Sequence, residues 1–336
     1  MTTYLDRLCA KEDMSRDETR ALFENLIRGE MAPVEIAALL IALKAKGETS
    51  EEIAGAAAAM RAAAVPFERP DFRFADTCGT GGDMSHTVNI STAVALVAAE
   101  MGIPIAKHGN RSISSKCGSA DVLEMLGVKI DASPEVAAKC LREAGICFLF
   151  APAYHPGMKH AMPVRRALKT RTVFNILGPL ANPAAPAVQI VGVFDRKLCV
   201  PIAETLKQLG LESAMVVHGS GLDEIALHGP TDAAVLRNGA VEKLSLRPES
   251  AGLKTQSLEA LKGGTPEENA ASLLALLRGE GKAAHAEATA LNAGALALLF
   301  GKAESIKEGC TAALETIASG RCADRLERLK EVSHGA

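Results

Sequence analysis

Apolar residues at helical spacing characterise the first part of the chain. They recur in two stretches, at Leu22, Phe23 and Leu26 and again at Ile36, Leu39, Leu40 and Leu43. Pro33 stands before the second stretch, where helices often begin. Thr49 and Glu52 have capping-box spacing at the start of an alanine-rich run that ends near Ala64. This pattern predicts a small helical domain over residues 1–70.

After Pro70 the pattern changes to short β-like runs separated by amphipathic helices. The runs are residues 72–77, 103–107, 146–150, 188–194 and 214–218, and Arg237-Asn238-Gly239 is typical of a hairpin turn between two more. Helices return from Pro266 to Leu277 and from Glu287 onwards. Alternating strands and helices predict an α/β fold with a mostly parallel central sheet over residues 71–336. We expect a segment near 163–182 to join the helical domain, and ligands to bind beyond the carboxyl ends of the strands.

Composition and charge exclude several classes of protein. Hydrophobic residues make up 48% of the 336 residues, which favours a globular fold, and a formal net charge of -3 gives nucleic acid little reason to bind. The eight cysteines form no CxxC pair that would indicate zinc or a disulfide framework. The sequence contains no secretory signal and no apolar run of about 20 residues. We therefore expect a cytoplasmic protein that is not associated with a membrane.

A glycine-rich turn provides the first candidate chemistry. The run D-T-C-G-T-G-G-D, from Asp76 to Asp83, follows a predicted strand and precedes a helix that we expect to begin near Ser91. Glycines let backbone N–H groups approach a phosphate, and hydroxyls at a helix N-terminus add donors there. The alternative is a tight turn without a ligand, and Ser91 could be only an N-cap.

A second candidate segment is basic and rich in hydroxyl groups. It reads K-H-G-N-R-S-I-S-S-K-C-G-S, from Lys107 to Ser119. Cations with serine donors suit a second anionic group of the same ligand, although a solvated surface loop has a similar composition. We assign no proton transfer to His108, and we expect the amide of Asn110 to make a selective contact.

An arginine pair and an acidic pair complete the set of candidates. Arg165 and Arg166 lie near the start of a predicted helix, where the helix dipole makes them costly unless they face an anion such as a planar carboxylate. Asp223 and Glu224 follow a strand and a glycine turn, and such oxygen ligands suit Mg²⁺. Each pair, judged alone, is also typical of a solvated surface.

Together these motifs resemble the anthranilate phosphoribosyltransferase family. The match also includes R-T-V-F-N-I-L-G-P-L-A-N-P and G-L-D-E, and it extends over nearly the whole chain. The resemblance implies a nucleoside-phosphorylase-like architecture, a homodimer, bound Mg²⁺, and the substrates phosphoribosyl pyrophosphate and anthranilate. Some relatives are fused to an amidotransferase domain. The helical domain fills the stretch before Asp76 and leaves no room for one there, so we expect a stand-alone transferase.

The resemblance also assigns residues by matching motif. Those around phosphoribosyl pyrophosphate would be Gly79, Gly82, Asp83, Thr87, Asn89, Ile90, Ser91, Thr92, Lys107, His108, Gly109, Asn110, Arg111, Ser112, Ile113, Ser114, Ser115 and Ser119. Anthranilate would contact Gly79, Asn110 and Arg165, and Mg²⁺ would be held by Ser91, Asp223 and Glu224. No general acid or base is expected, and Lys107, Asn110 and Arg165 would stabilise the transition state.

Two other functions remain open from the sequence. A pyrimidine nucleoside phosphorylase would share the architecture but act on a nucleoside and phosphate. A nucleic-acid-binding relative would need a basic groove, which the net charge of -3 and the G-L-D-E turn disfavour.

Overall fold

The N-terminal residues form the predicted helical bundle. The structure is a computed structural model that describes residues 3–112 and 116–335. The bundle helices are α1 (Tyr4–Cys9), α2 (Arg16–Arg28), α3 (Pro33–Lys46) and α4 (Ser50–Ala62). Pro33 is the first residue of α3, and Thr49 and Glu52 cap α4 reciprocally, so both sequence signals are confirmed.

A seven-stranded, mostly parallel sheet forms the centre of the larger part of the chain. Its strands are β1 (Ala75–Gly79), β2 (Ile105–Gly109), β3 (Ile146–Phe150), β4 (Val188–Gly192), β5 (Ser213–His218), β6 (Thr231–Arg237) and β7 (Ala240–Leu246). Within the described residues their order is β3-β2-β1-β4-β5-β6-β7. Strands β1 to β5 run parallel, so their carboxyl ends lie at one edge, while β6 and β7 form the predicted antiparallel hairpin.

Helices cover both faces of this sheet, as the α/β prediction requires. They are α5 (Ile90–Glu100), α6 (Ser119–Met125), α7 (Pro134–Glu143), α8 (Ala151–Tyr154), α9 (Met162–Leu168), α10 (Phe174–Leu177), α11 (Cys199–Gln208), α12 (Pro266–Leu277), α13 (Ala283–Phe300), α14 (Ile306–Ala318) and α15 (Cys322–Ser333). Helix α12 has the predicted bounds. The helical region expected from Glu287 onwards is divided into α13, α14 and α15, because glycines at 301 and 320 in the left-handed conformation end two of its segments.

The helical bundle shares a hydrophobic core with one face of the sheet. Alternate residues of a strand point to opposite faces, and Val191 and Val216 face the bundle and α11. The segment that carries α9 and α10 adds buried side chains to the same core, and the rings of Phe23 and Phe174 lie 5.7 Å apart. We therefore propose that residues 1–70 together with a segment near 163–182 form the helical domain, and that the rest of residues 71–336 forms the α/β domain.

The other sheet face packs against the long C-terminal helices. Helix α5 lies between the sheet and α13, and its residues from Thr92 to Ala99 are all buried. This position explains why α5 is apolar around its whole circumference. In residues 3–112 and 116–335, no helix is both long and apolar enough to cross a lipid bilayer.

Candidate functional site

The glycine-rich turn and the acidic pair meet at the carboxyl edge of the sheet. The backbone N–H of Gly81 donates to Oδ2 of Asp223 over 2.7 Å. A Cβ added at Gly79 would lie 2.1 Å from the same oxygen, so only glycine fits there. Gly82 has a φ of +77°, which side-chain-bearing residues rarely adopt. Two segments 142 residues apart in sequence thus form one site.

The N-terminus of α5 lies next in the chain after this turn. Asn89 is the N-cap residue, and Ile90, Ser91 and Thr92 form the first turn. The first N–H groups of a helix have no partner inside the helix, so this end suits an anion. The buried hydroxyl of Thr92 has no hydrogen-bond partner among the described residues, which adds a donor within the first turn.

Lys107 brings a buried cation to the same edge. Its side chain is on β2, and its Nζ donates to the carbonyl of Thr77 over 2.6 Å and to Oγ of Ser91 over 3.4 Å. Asp76 lies beneath it on β1, and burial raises the pKa of that carboxyl although Lys107 counteracts the rise. Asn182 Nδ2 donates to Asp76 over 2.9 Å. The ammonium group is therefore held at the floor of the site next to the helix N-terminus.

His108 is a buried neutral side chain. Its Nδ1 lies 3.2 Å from the carbonyl oxygen of Gly178, and its ring packs edge-on against His155 with centroids 5.2 Å apart. Burial, with His155 nearby, lowers the pKa of His108 to about 3. A ring with this pKa does not take up a proton at neutral pH, in keeping with the absence of an assigned proton transfer.

The basic loop is attached to α6 at both of its described ends. Oδ2 of Asp121 accepts from the backbone N–H of Ser112 over 3.0 Å and of Gly118 over 2.8 Å. Arg111 makes two bonds to the carboxylate of Glu124, over 2.7 and 2.8 Å. Its guanidinium is thus already paired with an acid, which the sequence did not reveal. Ile113, Ser114 and Ser115 lie outside the described residues.

Asn110 and Ser119 complete the described part of this loop. Oγ of Ser119 donates to the carbonyl of Asn110 over 3.3 Å, and the side-chain oxygen of Asn110 accepts from the N–H of Arg111 over 2.8 Å. A Cβ at Gly109 would lie 2.3 Å from Oγ of Ser119, so this glycine allows the two ends of the loop to approach.

The acidic pair lies in an environment that disfavours negative charge. Burial and the nearby carboxyl of Asp83 raise the pKa of Asp223 to about 7. Burial and Asp223 together raise the pKa of Glu224 well above its ordinary value. A divalent cation would relieve this repulsion, and adjacent carboxylates are the oxygen ligands that Mg²⁺ uses. The described residues contain no cluster of three or more His, Cys, Asp or Glu side chains that could hold an ion, so water or substrate would supply further ligands.

Arg165 is the fourth of the seven residues of α9, three residues after the helix begins. Arg165 and Arg166 are in the last turn of α9, so the expected repulsion from a helix N-terminus was wrong. The short helix begins at Met162, with Pro163 as its second residue. Positive charge is favourable at this end of a helix.

The surroundings of Arg165 nevertheless favour an anionic ligand. Its guanidinium is 5.3 Å from the ring centre of Phe174, and burial lowers its pKa. Across residues 3–112 and 116–335 no carboxylate forms an ion pair with it, whereas a partly buried cation is stabilised by an anionic partner. Neighbouring Arg166 is exposed.

Comparison with known proteins agrees with this architecture over the whole chain. A model of the glycosyl transferase family, helical bundle domain, matches residues 2–64, and one of the glycosyl transferase family, a/b domain, matches residues 71–323. An anthranilate phosphoribosyltransferase from Sorangium cellulosum is 56% identical over 333 residues, which are 99% of this chain and 96% of that protein. The chain belongs to the anthranilate phosphoribosyltransferase family.

Solved structures of family members share the fold closely. The anthranilate phosphoribosyltransferase of Thermus thermophilus has a TM-score of 0.93 at 45% identity, covering 98% of this chain and 99% of that one. The enzyme from Saccharomyces cerevisiae in complex with PRPP and Mg has a TM-score of 0.90 at 26% identity, covering 99% and 97%. The same yeast enzyme has also been solved in complex with 4-fluoroanthranilate, with a TM-score of 0.89, 26% identity and coverage of 100% and 98%.

Two side chains that contact the site were missed by the sequence analysis. Nη2 of Arg171 donates to the carbonyl of Gly82 over 2.5 Å, and its guanidinium stacks 4.1 Å from the ring centre of Phe194. Asn269 on α12 hydrogen-bonds to the side chain of Asn89. Arg171 is the first residue of the motif R-T-V-F-N-I-L-G-P-L-A-N-P, but no acidic residue close to it in sequence indicates a role. Asn269 lies in helix α12, which contains no motif. Neither position carries a local signal of its contact.

Proposed function

We propose that the site joins the amine of anthranilate to C1 of phosphoribosyl pyrophosphate and releases pyrophosphate, a step of tryptophan biosynthesis. The chain is a pentosyltransferase by its family. The observation that carries the proposal is the contact between Gly81 and Asp223, which brings the glycine turn and the acidic pair to the edge where α5 begins and where the Lys107 ammonium contacts Ser91.

Phosphoribosyl pyrophosphate is proposed to bind across the glycine turn, the N-terminus of α5 and the basic loop. The N–H groups of Thr80 and Gly81 are already bonded to Gly192 and Asp223, so those of Gly82 and Asp83 and of the start of α5 are the ones proposed to meet phosphate oxygens, and Lys107 supplies a buried positive charge. Thr87, His108, Gly109 and the loop residues up to Ser119 keep the assignments made from the family motif. The yeast relative in complex with PRPP and Mg supports this substrate.

Mg²⁺ is the proposed cofactor, held by Asp223 and Glu224 with Ser91 nearby. The two carboxyls have raised pKa values, and their oxygens are the kind of ligand that a hard divalent cation binds. When bound, such an ion neutralises charge that builds up on the departing pyrophosphate. The protein's own part is to hold Asp223 in place through the N–H of Gly81.

Anthranilate is proposed to bind with its carboxylate on Arg165 and its amine near Asn110. The guanidinium fork matches a carboxylate, and Arg165 has no protein anion beside it in the described chain. An aromatic amine is neutral at pH 7 and attacks C1 without prior deprotonation, so positioning replaces general base catalysis. The bond from C1 to pyrophosphate breaks as the bond to nitrogen forms, and the secondary ammonium group that results loses its extra proton to solvent. Lys107, Asn110 and Arg165 stabilise the charges that develop.

One assay tests this reaction directly. Anthranilate is fluorescent, so its consumption by the purified protein can be followed with phosphoribosyl pyrophosphate, with and without Mg²⁺. We expect consumption that requires phosphoribosyl pyrophosphate and falls strongly when the metal is chelated. A protein that consumes no anthranilate with both substrates and Mg²⁺ present would contradict the proposal, and consumption unaffected by chelation would contradict the cofactor.

A homodimer is proposed to cover one face of the helical bundle. Val34 and Ile41 lie seven residues apart on α3, so they share a face, and their side chains are 74% and 38% exposed. A second copy placed on this face would bury them. We expect Val34→Glu with Ile41→Glu to convert a dimer into a monomer in sedimentation equilibrium, whereas the same result for wild type and variant would remove this face from the interface.

The cytoplasm is the proposed location. Eight cysteines lie within the described residues and none of them is in a disulfide bond, although most are buried in the hydrophobic core. Thiols that form no disulfide are typical of a reducing compartment.

A further inference from the structure

The side chain of Asn89 contacts two distant segments of the protein. Its Nδ2 donates to the carbonyl of Cys117 over 3.1 Å, at the end of the basic loop. Its Oδ1 accepts from Nδ2 of Asn269 over 3.0 Å, across 180 residues of sequence. Both ends of this amide are therefore used within the protein, while its backbone begins α5.

Asn269 is buried and its own amide is also used at both ends. It is 4% exposed, its Nδ2 donates to Asn89, and its Oδ1 accepts from the N–H of Gly264 over 2.8 Å. The donors and acceptors along this path all match, from Gly264 through Asn269 and Asn89 to Cys117. We call the pair Asn89 and Asn269 the asparagine bridge.

The backbone just before Asn89 is also bonded to residues 261–263, which precede Gly264 and Asn269. The N–H of Val88 donates to the carbonyl of Leu261 over 3.0 Å, and the N–H of Gly263 donates to the carbonyl of His86 over 2.9 Å. A Cβ at Gly263 would lie 2.6 Å from Oδ1 of Asn269, so the backbone at Gly263 packs closely against the side chain of Asn269. Residues 86–89 are thus held from outside the glycine turn and from outside the basic loop.

We propose that Asn269 is a positioning residue for phosphoribosyl pyrophosphate: through Asn89 it fixes the N-terminus of α5 relative to the basic loop. The inference rests on the proposed function. Two loops that bind opposite parts of one ligand must keep their spacing, and ordering them before binding lowers the entropic cost of binding. Asn269 need not touch the ligand to have this effect.

Kinetics of Asn269→Ala provide the main test. Losing two partly buried hydrogen bonds and loosening the spacing should raise the KM for phosphoribosyl pyrophosphate about tenfold. The KM for anthranilate, measured at saturating phosphoribosyl pyrophosphate, should change less than about twofold. Asn269→Asp keeps the size of the side chain and the acceptor for the N–H of Gly264, but it places an oxygen opposite Oδ1 of Asn89. It should show the same pattern of KM values, and it replaces the alanine variant if that variant does not fold.

A matched control and a double mutant separate positioning from general stability. Ser272→Ala removes a 3.0 Å hydrogen bond to His285 one turn along α12, in which neither Asn89 nor Asn269 takes part, and should leave both KM values unchanged. If Asn269 acts through Asn89, the double variant Asn89→Ala with Asn269→Ala should be no worse than the worse single variant. Effects that multiply, or equal effects of Ser272→Ala, would overturn the proposal.

Hydrogen exchange tests the asparagine bridge without relying on activity. Backbone amides of residues 116–119 should exchange about tenfold faster in Asn269→Ala than in the wild type and in Ser272→Ala. Unchanged exchange together with unchanged KM values would overturn the inference. A wild type that does not consume anthranilate would contradict the proposed function instead, and the exchange comparison would still decide whether the asparagine bridge holds the loop.

Discussion

At the scale of single residues, the site is made of charged groups that the folded protein does not fully compensate. Arg165 is partly buried beside Phe174 with no carboxylate partner in the described chain, and Asp223 and Glu224 lie together with raised pKa values. By contrast, the buried side chain of Lys46 is paired with Glu52 over 2.9 Å. Charges left unpaired by the protein are the ones we expect ligands to pair.

Removing the guanidinium of Arg165 should weaken the use of anthranilate. We expect Arg165→Ala to lower kcat/KM for anthranilate about ten- to a hundredfold, since a hydrogen bond to a charged group contributes about 1.5 to 3 kcal/mol. Steady-state fluorescence assays check this, with the exposed neighbour Arg166→Ala as the matched control. Equal losses in the two variants would argue against a specific contact with Arg165.

The raised pKa of Asp223 should make the stability of the metal-free protein depend on pH. Its pKa is about 7 in the folded protein against an ordinary value of 3.8, so the folded state holds a proton that the unfolded chain has released. Stability is therefore lost as the pH rises from about 4 to about 7. Asp223→Asn should melt at a higher temperature than the wild type at pH 8, and this advantage should shrink towards pH 5.

Thermal melts in the presence of a chelator provide the measurement. Asp131→Asn, at an exposed position away from the acidic pair, should melt with the wild type at each pH. A constant difference between Asp223→Asn and wild type from pH 5 to pH 8 would show that Asp223 titrates normally.

At the scale of secondary-structure elements, the site depends on close contacts between the ends of strands and turns. Strand β1 ends at Gly79, and the turn after β5 places Asp223 against it. A Cβ at Gly192, at the end of β4, would lie 1.5 Å from the carbonyl oxygen of Asp223. Glycines at two neighbouring strand ends thus make room for the acidic turn.

Adding a methyl group at Gly79 should disturb this contact. The new Cβ would lie 2.1 Å from Oδ2 of Asp223, so one of the two segments must move, at a cost of about 1 to 3 kcal/mol of stability. We expect Gly79→Ala to lose most activity and to melt at a lower temperature. Gly178→Ala is the control, because a Cβ there has nothing within 4 Å and its φ of -51° suits alanine. A fully active Gly79→Ala would show that the turn does not need this spacing.

At the scale of the whole molecule, the helical bundle and the sheet do not have separate cores. Phe23 from α2, Phe174 from the connecting segment and Val216 from β5 belong to the same buried cluster. Oγ1 of Thr205 on α11 also donates to the carbonyl of Ser50, at the start of α4, over 3.1 Å. Breaking this interface exposes apolar surface on both sides, so the two parts should unfold together.

Calorimetry of a core variant tests this coupling. Phe174 is 6% exposed, and Phe174→Ala should destabilise the protein by about 3 to 5 kcal/mol while leaving one unfolding transition. Phe72→Ala, at a side chain that is 37% exposed, should have a much smaller effect. Two transitions, of which Phe174→Ala shifts only one, would mean that the bundle and the α/β part unfold independently.

Local patterns along the chain were sufficient to predict most elements and the candidate motifs, although β1 and β2 lie two to three residues beyond the predicted runs 72–77 and 103–107, and α1 and α6 were not predicted. The helical bundle, the strands of the sheet and the hairpin at Asn238 follow from periodicity, capping and turn residues, all of which act over a few residues. The glycines at 79 and 82 could be related to phosphate binding because their conformational freedom is a property of the residue itself.

Only the tertiary structure decided which groups are free and which already have partners. Arg111 is paired with Glu124, Arg165 lies in the last turn of a helix of only seven residues, and Asn269 reaches Asn89 across 180 residues. Such pairings depend on how distant segments pack, and no local pattern encodes a hydrogen bond between side chains so far apart in sequence. The sequence by itself therefore determined most of the elements and the kind of chemistry, and the fold determined which side chains are available to carry it out.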